Sequence, residues 1–149
     1  MDLPAPTSPS YTILVVDDLE DNRDLLRQWL ERHDYSVVAA ASAEEAFERL
    51  ASAPIDLILL DIQMPKMDGF EFLRRLRGDE QLRWIPAICL TAHFYEAAHI
   101  ADGLTFASGY FTKPFSFRDL LTKMEVVLQT RRPIDASFHP PSGASRRDR

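Results

Sequence analysis

The chain has 149 residues, 46% apolar and 27% charged, the balance of one ordinary globular domain rather than of a disordered or fibrous protein. No apolar run approaches the roughly 18 residues of a membrane span, and "MDLPAPTSPS" lacks a secretory signal, so the expected location is the cytoplasm, without membrane attachment. From Thr130 onward five arginines face two aspartates, a balance of +3; residues 1–129 therefore carry −9 of the net −6, which argues against a nucleic-acid-binding domain.

In chain order, residues 1–10 hold three prolines and two serines with little to pack, and read as a flexible leader. Strand candidates follow at "YTILVV" (11–16), "YSVVAA" (35–40), "DLILLD" (56–61), "AICLT" (87–91) and "GYFT" (109–112). Helical patterns alternate with them. The first places Leu25, Leu26, Trp29 and Leu30 on one face, and the last does so with Phe117, Leu120, Leu121, Met124, Val127 and Leu128. Ser42 with Glu45, and Ser116 with Asp119, carry the serine-x-x-acid spacing of a helix start. Cys89, the only cysteine, excludes an internal disulfide and reads as a small buried hydrophobe. Residues 130–149 read as a flexible basic tail.

Five strands alternating with five helices predict an α/β fold, a doubly wound parallel sheet with helices on both faces. Ligands of such sheets bind outside the carboxyl ends of the strands. That rule selects Asp17 and Asp18 after the first strand, Asp61 at the end of the third, Thr91 at the end of the fourth and Lys113 after the fifth.

Three crowded carboxylates repel one another unless a cation neutralises them, and Mg2+, which uses one or two carboxylates and keeps waters, suits the set. A carboxylate can also attack phosphorus to give an aspartyl phosphate. Lys113 would then supply a mobile positive charge and Thr91 a hydroxyl donor. Taken singly, each residue has a plainer role: Asp17 or Asp18 as helix cap, Lys113 in a structural ion pair, Thr91 as strand end, Tyr110 as core. Their convergence on one rim favours the functional reading.

"LVVDD" (14–18), "DLILLDIQMPKMDGFEFL" (56–73), "ICLTA" (88–92) and "YFTKPF" (110–115) together resemble a receiver domain of the two-component response regulators, in the single-domain, chemotaxis-regulator-like form. The resemblance covers about residues 11–129. It implies a flavodoxin-like sheet of order 2-1-3-4-5, Asp61 as phospho-acceptor, and Asp17, Asp18, Asp61 and the Gln63 backbone carbonyl as Mg2+ ligands. Thr91 becomes the switch hydroxyl, Tyr110 the switch aromatic and Lys113 the phosphate-contacting lysine, before a cis peptide to Pro114. The implied activity is a phospho-acceptor signalling function rather than that of an ordinary enzyme, with Mg2+-dependent self-phosphorylation and slow self-dephosphorylation. The implied partners are a histidine kinase or phosphotransfer protein and a downstream protein, with dimerisation through the face of the fourth helix, fifth strand and fifth helix.

The sequence departs from the family's usual pattern at Phe106, where a small residue is common. Gly103, Phe94 and Tyr95 add to the expectation of an unusual fourth helix. Gln63 and His93 occupy positions that tune phosphate lifetime in the family. No apolar periodicity for a helix-turn-helix follows Gln129, so output through protein contacts is expected. Three other functions compete with this one. A phosphorylation-independent module on the same fold usually lacks one of the acidic or lysine residues retained here. A haloacid-dehalogenase-type phosphatase needs an aspartate where Gln63 stands. A flavodoxin needs a hydroxyl-rich loop where "VDDLEDNRD" stands.

Overall fold

Short runs of Ile, Leu and Val too brief for helices, each followed by an amphipathic segment, produce β-α-β units. In the computed structural model, which describes residues 10–64, 67–91 and 107–130, five such strands form one sheet. The strands are β1 (Thr12–Val16), β2 (Ser36–Ala40), β3 (Leu57–Asp61), β4 (Ala87–Thr91) and β5 (Gly109–Thr112). They pair in parallel in the order 2-1-3-4-5, as expected. The helices are α1 (Glu20–Glu31), α2 (Ala43–Ser52), α3 (Gly69–Gly78) and α4 (Phe117–Thr130). The expected fourth of five helices falls within residues 92–106, outside the described residues, so α4 corresponds to the expected fifth.

The period-two alternation of strands divides the core. Ile13 and Val15 of β1, and Leu57 and Leu59 of β3, pack with Leu26 and Leu30 of α1 and Leu120 and Met124 of α4. Leu14, Val16, Ile58 and Leu60 face the other way, onto α2 and α3 through Leu50, Phe72 and Leu76. Every residue of β3 is buried, as its unbroken apolar run requires in a central parallel strand.

Two helix starts follow their spacing: Ser42 Oγ accepts the Glu45 N–H at 3.1 Å, and Ser116 Oγ that of Asp119 at 3.2 Å. One expectation fails. Leu25 is 55% exposed, because Leu26 and Leu30 alone occupy the buried stripe of α1 while Trp29 packs at its margin. Cys89 is buried, and burial pushes its thiol up to about 12.

Candidate functional site

The alternation that builds the core also aims the carboxylates. Residues 13 and 15 of β1 and 57 and 59 of β3 face α1, and Asp17 and Asp61 continue those same two rows. The parallel register sets Val16 opposite Leu60, so the two aspartates leave adjacent central strands at one level. Both are buried, at 2% and 6% exposure, while Asp18 is partly exposed. One oxygen from each of the three carboxylates lies within 4.8 Å of the others.

Asp17 is tethered from several directions. Its N–H donates to the Ala40 carbonyl at 3.1 Å, and its own carbonyl accepts from the Arg23 guanidinium at 2.8 Å. Its Oδ1 accepts the Leu19 N–H at 2.9 Å and its Oδ2 the Asn22 side-chain amide at 3.2 Å. The plainer reading of Asp17 and Asp18 as helix caps does not hold: the N-cap of α1 is Leu19, which makes no side-chain cap bond. Asn22 and Arg23 escaped the sequence reading. Their signal was positional, since the first turn of a helix that follows Asp17 directly must face back toward it.

Lys113 follows β5, and its peptide to Pro114 is cis, as the resemblance implies. Its Nζ lies 3.6 Å from Asp61 Oδ2 and 3.8 Å from Asp17 Oδ2. The ion pair expected of a merely structural lysine is therefore made with the site carboxylates themselves. Aromatic contacts hold this loop onto α1: Phe115 packs edge-on to Phe117 at 5.6 Å between ring centres, and Phe117 lies 4.7 Å from Trp29. A cleft of about 230 Å³ opens beside the cluster, lined by Asp17, Asn22, Leu25, Lys113 and Phe115 among others.

Three carboxylates against one ammonium leave two net negative charges in a largely buried space. An oxygen-only donor set with that charge fits a hard dication such as Mg2+. Beyond Asp61, Ile62 donates its N–H to the Leu90 carbonyl, and Gln63–Met64 pairs antiparallel with Met67–Asp68 as a two-residue ribbon. α3 then starts at Gly69, immediately after Asp68. A Cβ on Gly69 would stand 2.7 Å from Ile62 Cα, so the close return of the chain past the acidic rim requires glycine here.

Thr91 closes β4 opposite Thr112, although its side chain, like that of Gln63, lies outside the described residues. Tyr110 pairs with Cys89 in the sheet and is 41% exposed, which excludes the plainer reading of it as a core residue. His93, Phe94, Tyr95, Gly103 and Phe106 all lie outside the described residues.

The family model described as "Response regulator receiver domain" matches residues 13–125. Response regulator MprA of Mycobacterium bovis is 38% identical over 130 residues, 86% of this chain and 55% of MprA. The chain thus spans about half the length of the curated relatives it matches. Among solved structures, response regulator protein TrrA of Thermotoga maritima, in complex with Mg2+–BeF, is 32% identical with a TM-score of 0.71, covering 79% of this chain and 99% of TrrA. Chemotaxis protein CheY4 of Vibrio cholerae is 31% identical with a TM-score of 0.73, covering 80% of this chain and 100% of CheY4.

Proposed function

We propose that Asp61 of this chain, which belongs to the response regulator receiver domain family, accepts a phosphoryl group from a histidine kinase or phosphotransfer protein. The observation that carries this reading is the position of Lys113 between the buried carboxylates of Asp17 and Asp61, with Asp18 completing the cluster.

In the transfer, an Asp61 carboxylate oxygen attacks the phosphorus of a phosphohistidine. The new P–O bond forms as the P–N bond breaks, and the imidazole nitrogen leaves with the electron pair. Asp17, Asp18, Asp61 and the Gln63 backbone carbonyl would hold Mg2+, whose contribution is to neutralise charge on the phosphoryl oxygens. Lys113 moves its ion pair from Asp61 to the bound phosphoryl group. Thr91 donates its hydroxyl to that group, and the exposed Tyr110 follows it by changing rotamer. That TrrA was solved in complex with Mg2+–BeF supports a place for Mg2+ in this proposal.

The chain works as a phospho-acceptor signalling unit with a leader at 1–10, a receiver at 11–129 and a basic tail at 130–149. From the cytoplasm it passes its state on by protein contacts. The family match over residues 13–125 supports the receiver segment. Among the described residues no helix is long and apolar enough to cross a membrane. The readout surface takes in β5 and α4, and is also the face for a homodimer.

Transfer from a kinase labelled with radioactive phosphate tests the proposal. Label should leave the kinase histidine and appear on the chain in a form released by hydroxylamine, as an acyl phosphate is. Persistent absence of transfer from every histidine kinase of the source organism would favour a phosphorylation-independent interaction module instead.

A further inference from the structure

β2 is an edge strand, and its sequence SVVAA contains none of the charges or prolines that usually keep an edge from pairing with another chain. The parallel register fixes which of its groups face outward. Ser36 donates its N–H to the Tyr11 carbonyl, and the Ala40 carbonyl accepts from Asp17, so residues 36, 38 and 40 bond to β1. Val37 and Ala39 therefore direct their backbone groups away from the sheet.

Both outward carbonyls are taken, by arginines from opposite faces. Arg27 of α1 donates to the Val37 carbonyl at 3.2 Å. Arg49 of α2 donates through Nε to the Ala39 carbonyl at 3.1 Å. Acids hold each guanidinium in place, Glu31 at 3.6 Å from Arg27 and Glu45 at 2.7 Å from Arg49. Glu45 also accepts the N–H of Ala41, the next outward group along the edge, at 2.7 Å.

We infer that Arg27 and Arg49, with Glu45, form a guard that closes the β2 edge to strand addition, so that neither a second copy of this chain nor an extended peptide pairs there. An added strand must bond to successive outward groups of the edge strand. Here it meets carbonyls already occupied by charged donors, with a guanidinium on each face filling the space its own backbone would need. The protection that SVVAA lacks is supplied by the helices on either side. Protein contacts of this receiver are thereby directed away from the β2 edge.

The test is the double variant Arg27→Ala/Arg49→Ala in the full chain, studied by sedimentation and by amide hydrogen exchange from dilute to concentrated solution. The variant should associate more than wild type as concentration rises. Its Val37 and Ala39 amides should slow by about tenfold or more over the same range, while in wild type their rates stay constant. A folded variant with the mass and the Val37 and Ala39 exchange of wild type would overturn the inference. So would association that leaves those two amides unprotected. Should the alanine pair fail to fold, Arg27→Met/Arg49→Met keeps the aliphatic stems and helix propensity while removing the donors, and is read by the same two amides.

Discussion

Lys113 Nζ stands 3.6 Å from Asp61 Oδ2 while also approaching Asp17 Oδ2 at 3.8 Å, so one cation is shared between the two most buried carboxylates of the site. Sharing means that the lysine is held by Asp17 when Asp61 changes its charge. Replacing Lys113 with Met removes the only cation paired with either carboxylate among the described ion pairs. Loss of one such donor to a developing charge typically slows the chemical step about 100-fold. The initial rate of labelling of Lys113→Met by a small acyl phosphate should fall by that order; a rate within about twofold of wild type would contradict the role.

Asn22 donates to the carboxylate oxygen of Asp17 that faces Lys113, and so orients a proposed metal ligand without touching the metal itself. Outer partners of this kind typically contribute about tenfold or more to metal affinity. Asn22→Leu, of similar size but without a donor, should weaken Mg2+ binding by about tenfold in a calorimetric titration. Its thermal midpoint should stay close to that of wild type, because Asn22 is not part of the core.

Gly69 lies where the chain returns against Ile62, next to Asp61. A methyl group there must displace backbone, not a flexible side chain. Gly69→Ala should lower stability in urea by about 1–3 kcal/mol. It should also perturb the backbone amides of Asp61 and Ile62, a shift visible in the amide spectrum.

The buried Cys89 and the half-buried Tyr35 set the alkaline limit. Burial pushes the Cys89 thiol up from 9.0 to about 12, with Arg77 pulling slightly the other way. Burial also raises Tyr35 above its usual 10.0, helped by the charges of Glu125 and Tyr11. In both cases the unfolded chain loses its proton first as pH rises, so stability is complete below pH 9 and declines above it. For Cys89 alone the loss reaches about 1–2 kcal/mol by pH 10. Urea midpoints measured at pH 8 and pH 10 should show the decline, with a smaller one in Cys89→Ala. In the native state at pH 8 the thiol should resist alkylation.

Phosphorylation should be read out on the surface around β5. Beryllofluoride with Mg2+, bound at Asp61, should shift amide resonances across residues 93–118, with Tyr110 among them. Binding that leaves that whole stretch unchanged would refute the placement of the readout face.

The chemistry of the rim was legible because strand ends are readable: "LVVDD" and "LILLD" announce both the strands and the carboxylates that close them, and parity then places Asp17 and Asp61 on one side. The supporting contacts were not. Asn22 and Arg23 act through the angle at which α1 leaves β1, and Gly69 through a backbone approach to Ile62, and neither appears in a hydrophobic pattern. Leu25 was misplaced for a related reason. A helical stripe gives the buried face only to within about one residue, and the cleft beside Asp17 leaves Leu25 outside it. The arginines on the β2 edge carry no sequence signature, since their partners are main-chain carbonyls ten residues away.

That Asp61 is the acceptor is checked by intact mass after incubation with Mg2+ and acetyl phosphate. Wild type should gain the mass of one phosphoryl group, and Asp61→Asn should gain none. An adduct of equal yield in Asp61→Asn, or none in wild type with Mg2+ bound, would contradict it.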